Sequence, residues 1–245
     1  MAVTGWSDTN YLRRAAQVIN AYPLMVSCWF NRQTTAAVRE ICASGNTGAT
    51  GERIIYCRVT ATHTLQAHSA STSVYPGAGG TTVLTQNVWG HGTFEIISEA
   101  SRAILTDGSD RQFNTTAHNV PTASNAFYVG RAIGTGEPCG ADEGIAEISG
   151  WDCSGMTTGN MDALGVKLAA GENPINVDAE AAQPWTGRLV MYYPLTSTTD
   201  LTDASLNGHD LSVQGSVSNF ASHPDIDAVA GVTPLTFTGT SDLNA

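Results

Sequence analysis

The chain has 245 residues, of which 42% are hydrophobic and 13% are charged, and its formal net charge is −11. This length accommodates one large β-sandwich or two small domains, and the hydrophobic content is that of a globular protein with a sizeable core. The acidic balance, with Lys167 as the single lysine, argues against nucleic acids and anionic membrane surfaces as partners. No run of eighteen apolar residues occurs, so we expect no membrane insertion.

The N-terminus and the cysteines indicate the compartment in which the chain folds. The first residues lack a basic region followed by an apolar run, which predicts no signal peptide and synthesis in a reducing cytoplasm. The five cysteines are an odd number without metal-ligand spacing, so we predict buried free thiols. A pairing of Cys139 with Cys153 stays open if the two residues flank one hairpin.

Short strands dominate the first half of the chain after an ambiguous opening segment. Residues 8–20 suit a helix by their apolar spacing, whereas Tyr11 and Leu12 also suit a strand. The β-rich stretches that follow predict strands at 24–30, at 36–43 and along one long run at 53–68. In that run Ile55, Cys57 and Val59 share one face, and the Pro-Gly-Ala-Gly-Gly stretch at 76–80 breaks it.

The second half of the chain continues the strand pattern. Strands are predicted at 89–98 and 101–106, and Asp107–Gly108 has the sequence of a hairpin turn. Further strands are predicted at 126–130 and 143–151. In the last of these, residues 145, 147 and 149 alternate with residues 146, 148 and 150, which predicts a strand with two different faces.

One segment changes from the strand period to the helical period. Between residues 156 and 170, Met161, Leu164 and Leu168 fall on one helical face. Gly171 then lies where a C-terminal cap belongs and Pro174 follows, so we predict one short helix that stops there. A strand that contains Tyr-Tyr-Pro-Leu follows the helix.

Several stretches together resemble the concanavalin A-like, laminin-G-type (LamG) lectin modules that are common in tailed-bacteriophage structural proteins. They are Tyr22–Phe30, Val88–Phe94, Ile104–Gly108, Phe127–Arg131, Gly144–Leu195 and Leu189–Ile226. The resemblance implies an all-β fold, an antiparallel β-sandwich of the jelly-roll type with one short helix, over residues 1–226. Residues 227–245 are predicted to form a C-terminal arm or edge strand.

The final segment has an unusual position in this chain. In many relatives an aromatic-Pro-Leu and Ser-x-Asn-Gly stretch opens the module, whereas here the corresponding residues, Tyr193–Leu195 and Ser205–Gly208, come near its end. Because the termini of a sandwich usually lie close together, we expect this segment to complete the sheets that the N-terminus leaves unfinished.

Acidic residues on one strand are the first candidates for catalysis. Glycoside hydrolases of the same broad fold carry Glu-x-Asp-x-Glu, because alternate residues share a face and supply a nucleophile and an acid. The nearest match runs from Glu143 to Glu147 but has Ile145 in the middle. We interpret Glu147 as an outward strand residue near a turn, and Glu95 and Glu99 in the same way. The sequence therefore predicts no catalytic residue and no enzyme.

Possible metal ligands and sugar-stacking residues are also weak candidates. The segment Asp107–Asp110 has the residue types of a calcium loop, but two aspartates are too few. His63 and His68 are five residues apart and would face opposite sides of a strand, and His91 matches a structural position of the family. We predict no metal and no cofactor.

Four aromatic residues could stack on sugar rings if they line one loop face. They are Trp6, Trp185, Tyr75 and Tyr192. Buried anchors in the sandwich core or in a subunit interface explain them more simply.

The favoured function is that of a non-enzymatic virion component, either a capsid decoration (cement) protein or a tail or fibre part. The alternative is a glycan-binding lectin module for attachment to a host surface glycan, and a glycoside hydrolase is a weaker hypothesis. Expected partners are the major capsid or tail protein and further copies of the chain, with the virion as location. A homo-oligomer is expected because natural monomers usually block strand edges with lysine, and no predicted strand edge carries one.

Overall fold

The computed structural model describes residues 2–19, 22–33, 37–48, 53–70, 76–117, 124–131, 133 and 138–227. Within these ranges the chain forms two antiparallel β-sheets and two short helices, which confirms the predicted all-β sandwich. The strands are β1 (Ala2–Thr4), β2 (Tyr11–Arg14), β3 (Leu24–Asn31), β4 (Arg39–Gly45), β5 (Arg53–Val59), β6 (Thr64–Ala70), β7 (Gly77–Val83), β8 (Trp89–Ser98), β9 (Ser101–Thr106), β10 (Asp110–Asn114), β11 (Ala126–Val129), β12 (Gly144–Asp152), β13 (Leu189–Tyr193), β14 (Ser212–Gln214) and β15 (Ser218–Phe220). The helices are α1 (Thr158–Ala169) and α2 (Pro174–Asp178).

The strands are divided between two sheets, which we call sheet I and sheet II. Sheet I has the order β10-β9-β8-β3-β12-β1-β15, and β13 also pairs with β12. Sheet II has the order β14-β2-β11-β4-β5-β6-β7. The strands predicted at 89–98 and 101–106 form at those bounds, and Asp107–Gly108 turns the chain from β9 into β10.

The main hydrophobic core lies between the sheets. On β3, Leu24, Val26, Cys28 and Phe30 are buried in this core, whereas Met25 belongs to a second apolar cluster. Because successive strand residues point to opposite faces, the second cluster lies on the outer face of sheet I. Helix α1 covers that cluster, which gives sheet I apolar contacts on both faces.

The predicted helix at 156–170 forms as α1, with Met161, Leu164 and Leu168 buried as expected. A capping box between Thr157 and Asn160 begins it. The predicted stop is confirmed, because α1 ends at Ala169 and Gly171 follows with a φ of 86°. The sequence predicted one helix, whereas Pro174 begins a second short helix, α2, which the Asn173 side chain caps. Proline is favoured at this position because its missing N–H would have no partner inside the helix.

Three further boundary predictions need correction. The run predicted at 53–68 is two antiparallel strands, β5 and β6, joined by a turn in which His63 has a φ of 67°. The stretch at 76–80, predicted as the break after that run, is itself mostly strand, because β7 begins at Gly77. The strand predicted at 36–43 is β4, which begins at Arg39 and extends to Gly45; residue 36 lies outside the described residues.

The C-terminal segment completes both sheets, as predicted. In sheet I, β15 pairs with β1, placing Asn219 opposite Val3. In sheet II, β14 pairs with β2, placing Val213 opposite Leu12, so residues 11–14 are a strand. The backbone N–H of Asp227 donates to the carbonyl of Gly171 at 2.9 Å. The rest of the predicted arm, 228–245, lies outside the described residues, and a domain boundary at 226 stays a prediction.

All five cysteines are buried with free thiols, as predicted. Cys139 belongs to the main core and Cys153 to the cluster beneath α1. The two residues therefore lie in separate clusters, and the pairing left open from the sequence does not occur. In the described part of the chain, neither helix has the length and hydropathy needed to cross a membrane.

A candidate binding cleft beside Glu147

Strand β12 contains a bulge that the sequence pattern did not predict. Its pairing register with β3 shifts between Ala146 and Ser149, and Ile145 and Ile148 both lie in the main core. Strict alternation would have placed these two isoleucines on opposite faces. Glu147 lies within the bulge and has a φ of 54°, a conformation that costs a non-glycine residue on the order of 1 kcal/mol.

Glu147 is buried, so its interpretation as an outward strand residue is wrong: it is 5% exposed. Its Oε2 accepts a hydrogen bond from the Tyr192 hydroxyl, and its Oε1 lies 3.0 Å from Nε2 of His223. Its backbone N–H donates to the carbonyl of Pro194 at 3.2 Å. These contacts supply the hydrogen bonds that a buried carboxylate requires.

His223 is held by oxygen acceptors on both sides of its ring. Nδ1 lies 2.9 Å from the carbonyl of Pro224, and Nε2 lies 3.2 Å from the carbonyl of Pro194 as well as close to Glu147. An acceptor at each nitrogen favours the doubly protonated imidazolium. Burial alone would lower the pKa of His223, but the hydrogen bond and charge of Glu147 outweigh burial and raise it.

Tyr192 donates a hydrogen bond to Glu147 in the site. Burial first, and then the charge of Glu147, raise its pKa well above the usual value. The phenol therefore keeps its proton and is unsuited to act as a phenolate nucleophile. Its hydroxyl also lies 3.5 Å from Nδ2 of Asn173, and its backbone N–H donates to Asp203 at 2.9 Å.

These residues form one wall of a cleft of about 320 Å³. It is lined by Glu147, Asn173, Tyr192, Pro194, Thr196, His223, Pro224, Asp225, Ile226 and Asp227. Three carboxylates and one imidazolium give the cleft a net negative charge. Such a lining suits a small polar ligand that donates hydrogen bonds, and it disfavours anions.

The other acidic candidates lie away from this cleft. Glu143 accepts from the backbone N–H of Gly140 at 2.7 Å and lies 3.8 Å from Arg39, so it does not join Glu147 in a catalytic pair. Glu95 is buried and accepts from Arg111 at 2.7 Å, so its interpretation as an outward residue is also wrong. Glu99 is exposed, as predicted.

The aspartates of the candidate calcium loop accept hydrogen bonds from backbone N–H groups of the chain itself. The Asp110 carboxylate accepts from the backbone N–H groups of Thr81 and Thr82 at 2.5 and 2.6 Å. Asp107 accepts from the backbone N–H of His91 at 2.7 Å. Over the described ranges, no group of three or more His, Cys, Asp or Glu side chains could hold a metal ion.

The remaining histidine candidates have structural contacts. His91 is buried with Nε2 2.7 Å from the Ser27 hydroxyl, and burial lowers its pKa to about 3. His68 stacks on Tyr56, with ring centroids 4.7 Å apart, whereas His63 lies in the β5–β6 turn.

The aromatic candidates are buried anchors rather than a sugar platform. Trp6, Trp185 and Tyr192 are 1%, 4% and 2% exposed, so none of them presents a ring face to solvent. Tyr75 lies outside the described residues. Of the three that the structure describes, only Tyr192 lines the cleft. His223 and Asn173 were not candidates from the sequence, since no local pattern links them to Glu147.

Comparison with known proteins gives information about the fold. No protein-family model and no curated protein matches the chain. A solved structure of a putative carbohydrate binding protein from Bacteroides ovatus aligns with a TM-score of 0.58 at 16% identity, over 91% of this chain and 61% of that protein. The chain has a lectin-type jelly-roll fold.

Two other solved structures align less closely with this lectin-type sandwich. A SAP-like pentraxin from Limulus polyphemus aligns with a TM-score of 0.49 at 14% identity, over 67% of this chain and 80% of that one. A sialidase from Trypanosoma rangeli aligns with a TM-score of 0.43 at 12% identity, over 60% of this chain and 23% of that one. The virion role, its location and its capsid or tail partners stay predictions from sequence resemblance. The expectation that the chain is not an enzyme also stays a prediction.

Proposed function

We propose that this protein is a glycan-binding module and that the cleft beside Glu147 holds a saccharide. The observation that carries the proposal is the buried Glu147 carboxylate, which Tyr192 and His223 orient at the wall of a cleft of about 320 Å³. The lectin-type fold and a structural neighbour described as a putative carbohydrate binding protein support the same class of function. This alternative has better support than the virion role.

The chemistry of the cleft favours sugar hydroxyls as the bound groups. A carboxylate oxygen with a fixed orientation accepts hydrogen bonds from hydroxyl donors, and such charge-assisted bonds are about twice as strong as neutral ones. Asn173 and Thr196 add neutral polar groups to the same cleft. Because Asp225 and Asp227 also line it, we expect a neutral or amino-bearing saccharide rather than an acidic one.

The test is binding to an array of neutral, amino-bearing and acidic glycans, followed by calorimetry with the best ligand. Glu147→Gln keeps the side-chain volume and removes the charge, and we expect it to weaken binding about tenfold. Glu99→Gln, which changes an exposed carboxylate outside the cleft, is the matched control and should bind like the unchanged protein.

Two outcomes would contradict this proposal. One is the absence of binding to every neutral and amino-bearing glycan at millimolar concentration. The other is release of reducing ends that stops in the Glu147→Gln variant, which would favour the glycoside hydrolase instead. Circular dichroism of each variant establishes that it is folded.

A further inference from the structure

Four side chains on the outer face of sheet II form a continuous stack. The guanidinium of Arg131 lies 5.0 Å from the ring centroid of Tyr11, and the Tyr11 and Tyr128 rings are 5.2 Å apart. The guanidinium of Arg13 lies 5.6 Å from the centroid of Tyr128. We call these four residues the Arg–Tyr stack. Its order places a cation at each end of a pair of phenol rings.

The register of sheet II creates this arrangement. Leu12 and Val129 are buried in the main core, so their neighbours Tyr11, Arg13 and Tyr128 point outward. Tyr128 on β11 lies directly opposite Arg13 on β2. At the other end of the stack, Arg131 Nη1 donates to the backbone carbonyl of Asp8 at 2.7 Å. Stacking and this hydrogen bond fix the orientation of the groups before any ligand binds.

The stack has unused hydrogen-bonding capacity. Across the described residues, the hydroxyls of Tyr11 and Tyr128 have no hydrogen-bond partner, and Arg13 has neither a side-chain hydrogen bond nor an ion pair. The Nε of Arg13 is buried without a partner. The chain has 22 acidic residues against 11 basic ones, so carboxylates are abundant. Arg13 pairs with none of these carboxylates in the described residues, so its guanidinium is available for an external anion.

Neighbouring groups extend the polar and cationic character of this face. Ser212 and Gln214 on β14 lie opposite Arg13 and Tyr11, respectively. Further across sheet II, the guanidinium groups of Arg53 and Arg58 lie 4.8 and 5.8 Å from the ring centroid of Tyr56. Glu40 lies opposite Arg58 and offsets part of this charge.

We propose that the Arg–Tyr stack binds the anionic group of an acidic saccharide, a carboxylate or a sulfate. Arg13 supplies the charged donor, and the two phenol hydroxyls donate to the anion or to adjacent sugar hydroxyls. The partly exposed Tyr11 ring packs on a sugar face, whereas Tyr128 is 8% exposed and contributes only its hydroxyl. This site lies on sheet II, whereas the cleft beside Glu147 lies on sheet I. The two sites have opposite charge, so this proposal stands whether or not the cleft binds a neutral sugar.

The test uses calorimetry with two matched pairs of probes. Oligogalacturonate is compared with its methyl ester, and dextran sulfate is compared with dextran, so the two arms separate carboxylate from sulfate recognition. We expect binding of at least one anionic probe, weakening as salt is added, and no binding of its neutral counterpart. Arg13→Gln should weaken binding about tenfold or more, and Tyr128→Phe, which keeps the ring, should weaken it by a smaller factor.

Arg188→Gln is the control, because Arg188 is also partly exposed and lies away from the stack, where its backbone N–H donates to Asp178 of α2 at 2.7 Å. It should bind the anionic probe within about twofold of the unchanged protein. The proposal is wrong if neither anionic probe binds, if the neutral probes bind as well, or if Arg188→Gln weakens binding as much as Arg13→Gln. It is also wrong if an oligonucleotide binds equally well, since the face would then attract any polyanion.

Discussion

The Nε2 of His223 lies 3.0 Å from the Oε1 of Glu147, and this contact joins the C-terminal segment to the bulge of β12. Glu147 is held in the bulge by the pairing of β12 with β3 and β13. His223 comes from the chain that follows β15. The cleft therefore exists only when the last described segment lies against sheet I.

The contribution of His223 to stability should depend on pH. Its pKa in the folded protein is raised above the usual 6.5, so its stabilising effect is fully present below about pH 6.5 and is lost as the pH rises through the folded pKa. We expect His223→Gln to lower the free energy of unfolding by about 1–3 kcal/mol at pH 5.5, with a smaller difference at pH 9. Denaturant unfolding across this range measures the difference, and His209→Gln is a control from the same segment. A pH-independent difference would contradict the imidazolium assignment.

Removing the Glu147 charge should lower the pKa of His223. Burial acts in the downward direction, whereas the hydrogen bond and charge of Glu147 act upward and prevail. In Glu147→Gln the upward effect is reduced to that of the Pro194 and Pro224 carbonyls. We expect an NMR titration of the His223 ring to show a lower pKa in the variant. An unchanged value would mean that the Glu147–His223 ion pair does not form in solution.

Asp110 should protect the edge of β7 from pairing with a strand of another chain. Strand β7 ends sheet II and β10 ends sheet I, and the Asp110 carboxylate binds two backbone N–H groups of β7. We expect Asp110→Ala to destabilise the fold by about 1 kcal/mol and to cause concentration-dependent association, measured by sedimentation. Asp142→Ala, an exposed change of the same charge, should do neither.

The same carboxylate gives a prediction at low pH. Burial would raise the pKa of Asp110, but hydrogen bonds from Gln112, Thr82 and Thr81 outweigh it and lower the pKa. Its stabilising effect is present above the usual 3.8 and is lost as the pH falls through the folded value. The stability difference between Asp110→Ala and the unchanged protein should therefore begin to narrow as the pH falls below about 3.8 and should disappear only in strong acid. A constant difference down to pH 2 and below would contradict it.

The cysteines should be inert in the folded protein. Burial raises the pKa of Cys28 and Cys57, so little thiolate forms near neutral pH, and both side chains are inaccessible. We expect no alkylation of either residue in native buffer and labelling of all five cysteines in denaturant. Rapid native labelling of both would show that β3 and β5 do not belong to the core.

The structure weakens the argument that predicted a homo-oligomer. It assumed that strand edges without lysine are poorly guarded, but Asp110 covers the β7 edge, and β14 and β15 are only three residues long. Short edge strands and edge-binding side chains are both ways of avoiding edge pairing. A homo-oligomer therefore stays a prediction, and sedimentation of the unchanged protein is its direct test.

Local periodicity was sufficient for much of the fold. The strands at 89–98 and 101–106 and the buried face of α1 follow from apolar spacing, because each pattern is complete within about ten residues. Local periodicity was insufficient where a single residue changes how neighbouring strands pair. The turn at His63 divided an apparently continuous strand, and the bulge at Glu147 moved a residue expected to face solvent into a buried site.

The sequence by itself determined the fold class, the helical segment and the burial of the cysteines, since these depend on composition and short-range pattern. Only the tertiary structure decided where the chemistry lies. Glu147 meets His223 because β12 is bulged and the C-terminal segment returns to sheet I. Arg13 meets Tyr128 because β2 and β11 are neighbours in sheet II. Each of these contacts joins residues that are far apart in the chain, and their proximity is set by strand register, which the alternation of residues within one strand does not encode.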